Sequence, residues 1–459
     1  MVEVFSSGQG ERVSPFRGIR YNKEIVKDLA AVICPPYDII APEQQKLYYE
    51  RSDYNIIRLE HPLSVSYDAA EQSDRSKYDR AAITFQQWLK RGVLQGDRVS
   101  SFYLHDHYFT YMGGRRRRRG LVARVRLEPW GNGIYPHEET FSKAKIDRLQ
   151  LMRTCQANFS PLFALYQDSE QEIVQALFGA SQREPIIELD DSNETHVVWA
   201  ITDPKLRQQL SELLAARPLY MADGHHRYET ALLYQQERMQ KLPSGIGKEA
   251  FNYVMMTLVD FSDPGLVVFP IHRLVCGIAS SALAGLKSQL EDFFILESVP
   301  LPASPKAFLA SLQAEVASRS RGKQRSNLEE ISSRVTIGIL GLEPQSLIML
   351  RQRQDVSIED IMPKNHSQAY KKFDISLLNH LILDRMLGLA QGSKNLAYTV
   401  DIDEAYQQVN GGRYQLAFAL SPPNLEMIKD IVDAKDRMPR KSTYFYPKLP
   451  AGLIINPLS

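Results

Sequence analysis

Sixteen residues near the middle of the chain, Leu219 to Tyr234, read LYMADGHHRYETALLY and gather groups suited to holding an anion. The first four form a short apolar run of strand type, Gly224 permits a sharp turn, and from His226 onward the spacing of Tyr228, Ala231 and Leu232 is helical. A strand, a tight turn and a helix start leave unpaired amides at the positive end of a helix dipole, where phosphates bind. Gly224, His225, His226 and Arg227 would form that cradle, with Arg227 a charge-assisted donor at an exposed helix start. A capping role would account for Asp223, but not for two histidines and an arginine in a first turn whose dipole opposes cations.

A second group lies in Tyr135 to Leu149, YPHEETFSKAKIDRL, where His137, Glu138 and Glu139 precede a helix expected from Ser142. Adjacent carboxylates beside an imidazole can act as a general base or hold magnesium, and an acidic turn flanking a helix is the plain alternative. Lys143, Lys145, Asp147 and Arg148 follow on that helix, and some of them make ordinary salt bridges. Three further segments carry weaker signals. Pro35-Pro36-Tyr37-Asp38 is a stiff turn whose carboxylate either orients a substrate or caps the loop. His272-Arg273, after the strand-like GLVVFPI, either places a second basic pair near the first or simply ends a strand, and Arg440, Lys441, Ser442 and Thr443 either close over phosphate or pack.

Standard signatures fail. LPSGIGKE, from Leu242, has Leu at the first glycine of a Walker A loop and Glu at its hydroxyl position. GNGIYP, from Gly131, puts Pro136 at the third glycine of a dinucleotide fingerprint. HEETF, from His137, lacks the second histidine of a zincin. His105 and His107 in LHDHY share a strand face without a third ligand and read as polar surface. The run Arg115 to Arg119 lacks interleaved aromatics and reads as the solvated tip of a hairpin.

The elements that must position these groups alternate between short apolar runs and amphipathic helices, which gives a mixed α/β (α+β) class. Strands are expected at Asn55–Leu59, Phe102–Tyr111, Gly120–Leu127 and over VTIGIL, LIML and YQLAFAL. Helices are expected at Tyr67–Leu94, with Trp88 and Leu89 inward, and at 142–154, 203–215, 226–240, 374–389 and 424–432. The polar stretch Ala317–Arg334 offers little to bury and reads as a mobile loop. At 459 residues the chain holds about two to four domains, with boundaries placed near residues 100 and 277 (1–100, 101–277, 278–459). Lys+Arg at 55 against Asp+Glu at 54 leaves a net charge of +1, so no whole-molecule field draws it to nucleic acid or an anionic membrane. Cys34, Cys155 and Cys276 form no CxxC pair and read as small buried hydrophobes in a reducing compartment. With no signal-like or membrane-length apolar run, the expected location is cytoplasmic.

PHEE followed downstream by DGHHR resembles the ParB/sulfiredoxin-like superfamily, and in particular its free serine kinases. The spacing from His137 to Gly224 is much longer here than in those kinases. From PFRGIRY (Pro15) through CPPYDII (Cys34), IDRLQLM, ADGHHRYETAL, PIHRLV (Pro270) and MPRKSTYFYPKLPAGL, the chain also resembles domain-of-unknown-function family 1015, which brings no established activity. The superfamily resemblance implies a ParB/sulfiredoxin-like nucleotide-binding core with additional α/β regions, and ATP or ADP with Mg²⁺ as cofactors. It further implies phosphate contacts from Gly224, His225, His226 and Arg227, catalysis by His137 with Glu138 or Glu139, and a metal or acceptor role for Asp223, with Glu138 as a second metal ligand. The implied function is a phosphotransferase acting on a small hydroxylated metabolite, with free serine or a relative as the candidate acceptor. The alternatives are a nucleotide-binding regulator of the ParB type and a phosphoester hydrolase. No nucleic-acid or membrane partner is expected, and nothing in the sequence sets an oligomeric state.

Overall fold

The computed structural model describes residues 11–63, 76–138, 142–241, 247–301, 337–353, 355–359, 361–390 and 392–459. The chain divides into two compact units, one of Met1–Pro136, Thr140–Leu266 and Pro447–Ser459, the other of His137–Glu139 and Val267–Tyr446. Glu139, the stretch Ala317–Arg334 and residues 242–246 of LPSGIGKE lie outside the described residues.

The first unit is built on a nine-stranded mixed sheet. From one edge its strands run Ile134–Tyr135, Leu219–Asp223, Leu162–Tyr166, Tyr253–Asp260, Gly114–Arg126, Phe102–Tyr111, Glu194–Ile201 and Ile187–Asp191, and Val13–Ser14 also pairs with Gly114–Arg126. Two pairings are parallel, 219–223 with 134–135 and 253–260 with 162–166, and the rest are antiparallel. Tyr253–Asp260 is buried at every position, as its apolar run YVMMTLV requires of a strand covered on both faces. Helices Ser142–Cys155 and His225–Lys241 belong to this unit, and Tyr228, Ala231 and Tyr234 of the second join the core with Met221, Leu162 and Val254.

The second unit has an antiparallel six-stranded sheet in the order Phe294–Pro300, Ser346–Gln352, Ile337–Leu340, Leu416–Ala419, His272–Val275 and Leu396–Thr399. Its core takes Leu286 and Leu290 from helix Ser280–Glu291 and Ile428 and Ile431 from helix Leu425–Asp433. Asp374–Leu377 continues as a π-helix through Leu378–Met386, whose Leu381 and Ile382 are fully buried.

Several local expectations are corrected. NIIRL is not a strand. Asn55 Oδ1 accepts from Ile57 N–H at 2.9 Å and its amide reaches the carbonyls of Ala31 and Ile33, starting the helical turn Ile57–Glu60. Ile56, Ile57 and Leu59 are all buried there, a pattern that does not separate strand from buried helix. The helix expected from Tyr67 spans Lys77–Lys90 among the described residues, with Trp88 buried, Leu89 half-buried and Leu94 already in the next strand. The hairpin at 102–126 is present, but its tip is Met112–Gly113, both at positive φ, and the arginines lie along the strand Gly114–Arg126. Arg118 is 1% exposed, so the run is not a solvated tip. His105 and His107 are likewise buried rather than polar surface. Cys34 and Cys155 are buried, whereas Cys276 is half-buried. Among the described residues no helix is long and apolar enough to cross a membrane.

Candidate functional site

The strand, turn and helix read from the sequence are present. Leu219–Asp223 ends at Gly224, whose φ of +92° favours glycine, and the helix begins at His225. A side chain at Gly224 would put its Cβ 3.1 Å from Leu162 Cγ and 3.2 Å from Arg227 Nη2. The Gly224 carbonyl accepts the first helical bond, from Tyr228 N–H at 3.0 Å, so glycine occupies the cap position and Asp223 lies before it. The Asp223 carboxylate faces Lys448 Nζ at 3.2 Å and Arg227 Nη2 at 4.0 Å. Burial pushes its pKa up, but Lys448, Arg227 and His225 outweigh burial and hold it well below the usual carboxylate range.

Arg227 is 9% exposed, which corrects the expectation of an exposed helix start. Its Nη1 donates to Ser160 Oγ at 2.8 Å and to the Pro161 carbonyl at 3.0 Å. Ser160 Oγ in turn donates to Glu60 Oε1 at 2.9 Å. Burial opposes the guanidinium's charge, and Asp38, Asp223, Glu60 and Tyr37 together override it, so its pKa lies above the ordinary arginine value. Glu60, 3% exposed, is pushed up by burial against the pull of Arg148, Arg227 and Ser160. Arg148 Nη1 donates to the Glu60 carbonyl at 2.5 Å, and its guanidinium grips Asp147 Oδ2 and lies 4.0 Å over the Tyr37 ring. Burial and the neighbouring Asp38 push Tyr37 up to about 12, against Arg148 and Arg227. His225 is buried near Trp130, at 6.2 Å between rings, and His226 is half-buried. A cavity of about 40 Å³ lies beside Glu60, Arg148, Ser160 and Arg227, with room for a water or two but not for a nucleotide.

The local spacing brings Asp223 through Arg227 together as expected, and Asp38, a weaker candidate in the sequence, lies close enough to act on Arg227. Sequence reasoning missed Glu60, Ser160 and Lys448, and it placed Arg148 only within a group some of whose members make ordinary salt bridges. Glu60, Ser160 and Lys448 reach Arg227 or Asp223 from distant parts of the chain, so no local spacing marks them.

His137 and Glu138 belong to the second unit, where they join two of the three weaker candidate segments. The His137 carbonyl accepts from Met438 N–H at 2.8 Å, and His137 Nε2 lies 2.9 Å from Thr443 Oγ1. Glu138 Oε1 accepts from Lys441 N–H at 2.6 Å, and Lys441 takes a φ of +57°. Arg273, 1% exposed, donates to the carbonyls of Ile271 and Arg440. Burial pulls its pKa down to about 10, with Tyr398 and Glu138 opposing. His272 Nδ1 accepts from Leu420 N–H at 3.0 Å, and burial holds the ring at about 4, uncharged near neutrality. Residues 137–138, 272–273 and 440–443 therefore form one cluster, in which Glu138 is fixed by backbone.

A family model described as "Protein of unknown function (DUF1015)" matches residues 13–343. The chain belongs to that family. Among solved structures, this DUF1015 chain is similar to a free serine kinase in complex with AMP, at 12% identity and TM-score 0.32, covering 71% of this chain and 86% of that one. A conserved hypothetical protein from Pyrococcus furiosus matches at 12% identity and TM-score 0.31, covering 72% and 93%. SbnI with a C-terminal truncation, from Staphylococcus aureus, matches at 10% identity and TM-score 0.28, covering 72% and 85%. Likenesses of this size assign no activity to this chain. No curated protein matches it.

Proposed function

We propose that this DUF1015 protein is a nucleotide-dependent phosphotransferase acting on a small hydroxylated metabolite, with the Gly224–Arg227 turn as its phosphate site. The observation that carries the proposal is the packing of Arg227, His225 and Lys448 around the N-terminus of His225–Lys241. Cations at the positive end of a helix need an anion; Asp223 is that anion here, and a phosphate, with more charge and more acceptor oxygens, can compete with it for Lys448 and Arg227. Phosphoryl transfer needs phosphate clamps and an oriented hydroxyl more than covalent catalysis, which suits this residue set.

ATP or ADP as donor, Mg²⁺ and free serine as acceptor are the finer parts of the proposal. Asp223 does not fit a magnesium ligand here, because Lys448 and Arg227 already face its carboxylate. Magnesium in this scheme enters on the nucleotide's phosphates. Asp38, exposed on its proline-stiffened turn and close enough to influence Arg227 electrostatically, is the first unit's candidate for orienting the acceptor hydroxyl. The catalytic roles proposed for His137, Glu138 and Glu139 are tested by substitution. Calorimetry with ADP and ATP, with and without Mg²⁺, should detect binding that weakens in Arg227→Lys, and mass spectrometry of metabolite pools incubated with ATP or ADP should show a new phosphate ester. Absence of nucleotide binding would reject the proposal.

A further inference from the structure

Antiparallel pairing forces four imidazole and carboxylate side chains of the first unit into one row. His196 is directly opposite His107, which is opposite Arg118 on the next strand. Because side chains alternate with a period of two, His105 joins His107 on that face and Glu194 joins His196. His105, His107 and His196 are 4%, 1% and 2% exposed, and Glu194 keeps 32% of its side chain open to solvent.

We infer that His107, His196 and Glu194 form a binding site for a divalent transition ion of the zinc type. One ligand atom from each lies within 4.8 Å of the others. Glu194 Oε2 is 2.7 Å from His107 Nε2 and 3.8 Å from His196 Nε2. Two ligands on a tetrahedral zinc stand about 3.3 Å apart, so the first gap opens and the second closes by roughly half an ångström each. The 3.8 Å gap is too long for a hydrogen bond, and an ion between the two atoms would satisfy both. His196 Nδ1 lies 3.0 Å from His105 Nε2. If His196 donates in that bond, its ring is oriented and its Nε2 lone pair is available, as outer partners of metal-bound histidines do. Two nitrogens and one carboxylate with a further position open match zinc donor sets, and Glu194 supplies the way in.

Arg118 makes the site conditional. Its Nη2 lies 3.2 Å from His107 Nδ1 and donates to the Pro447 carbonyl at 2.8 Å. Arginine only donates, so in this arrangement the His107 proton sits on Nε2 and points at Glu194. To take an ion, that proton must move to Nδ1 through solvent and Arg118 must release the ring while keeping Pro447. Arg118 therefore competes with the metal.

Metal uptake here is independent of phosphotransfer, and its readout is binding. The full chain, stripped of metal, is titrated with Zn²⁺ by calorimetry and with Co²⁺ by visible absorption. One ion per chain is expected, with affinity falling about tenfold or more in Glu194→Gln and His196→Gln, and the Co²⁺ band lost in the latter. Arg118→Met, which removes the competitor at similar volume, should bind tighter. No uptake by the wild-type chain, unchanged affinity in the folded ligand variants, or weaker binding in folded Arg118→Met would each overturn the inference. If His196→Gln does not fold, the part-exposed Glu194→Gln decides.

Discussion

Truncating Arg227 separates a structural role from a ligand-binding one, because the side chain is both buried and aimed at the proposed phosphate site. Arg227→Ala removes donors at 2.8 and 3.0 Å, leaves Ser160 without its charged donor and leaves the 3%-exposed Glu60 with Arg148 as its remaining cation. Hydrogen bonds from a charged donor contribute about 1.5–3 kcal/mol each, and removing one partner of a buried charged pair costs about 3–5 kcal/mol. These terms overlap, so the expected loss is ~3–5 kcal/mol rather than their sum. With a urea m-value of about 2 kcal/mol/M, the midpoint of unfolding should fall by ~2 M. Arg227→Lys keeps the charge but loses the planar fork, and should cost only ~1–2 kcal/mol while weakening ADP binding by about tenfold or more. Urea denaturation and calorimetry on both variants provide the two readings. If Arg227→Ala unfolds within ~0.5 kcal/mol of wild type, the Glu60–Ser160–Arg227 network does not support the fold. If folded Arg227→Lys binds ADP as wild type does, Arg227 is structural and the phosphate site lies elsewhere.

Glu138→Gln, at nearly constant volume, should leave nucleotide affinity unchanged while turnover of an identified substrate falls by ~10²–10⁴; Glu139→Gln is the control, and unchanged turnover in both makes the PHEE segment structural. Gly224→Ala forces a side chain onto φ +92° and within 3.2 Å of Arg227 Nη2, so ~1–2 kcal/mol of stability and most ADP binding should be lost; wild-type ADP binding would show the turn is not the cradle. Asp223, held at about 2 against an ordinary 3.8, contributes stability that is present above pH ~4 and disappears as pH falls through its folded pKa. The unfolding free energy from urea titrations between pH 5 and 2 should therefore fall less in Asp223→Asn than in wild type, by about 2 kcal/mol, and parallel curves would refute the pairing with Lys448 and Arg227.

The Gly224 turn was legible because its determinants are local: an apolar strand, one glycine and a helical period within sixteen residues. Burial of Arg227 was not, since Ser160 stands 67 residues away and Glu60 another 100 from Ser160. The arginine run misled for a related reason. Five adjacent cations look solvated in one dimension, yet Asp106, His107 and Tyr108 on the paired strand meet Arg119, Arg118 and Arg117, and the carbonyl that takes Arg118 is 329 residues distant. LHDHY likewise showed two imidazoles, while His196 and Glu194 arrive only through strand pairing.

Around the proposed phosphate turn the formal charges of six residues cancel: Asp38, Glu60 and Asp223 stand among Arg148, Arg227 and Lys448. An arriving phosphate must therefore compete with a carboxylate, and the distances indicate which bonds yield. Arg227 is anchored inward at 2.8 and 3.0 Å but only loosely associated with Asp223 at 4.0 Å, whereas Lys448 meets Asp223 at 3.2 Å. A phosphate carries more charge than a carboxylate and more acceptor oxygens, so it can draw Lys448 and the outer edge of Arg227 without breaking the inner network. Arg227 then acts as anchor and Lys448 as the cation that exchanges partners. The backbone immediately before Lys448 is fixed in turn, because the Pro447 carbonyl accepts from buried Arg118. Arg118 thus stands between the histidine row and the backbone beside Lys448, and because it keeps Pro447 when it releases His107, an ion in the row leaves that backbone in place.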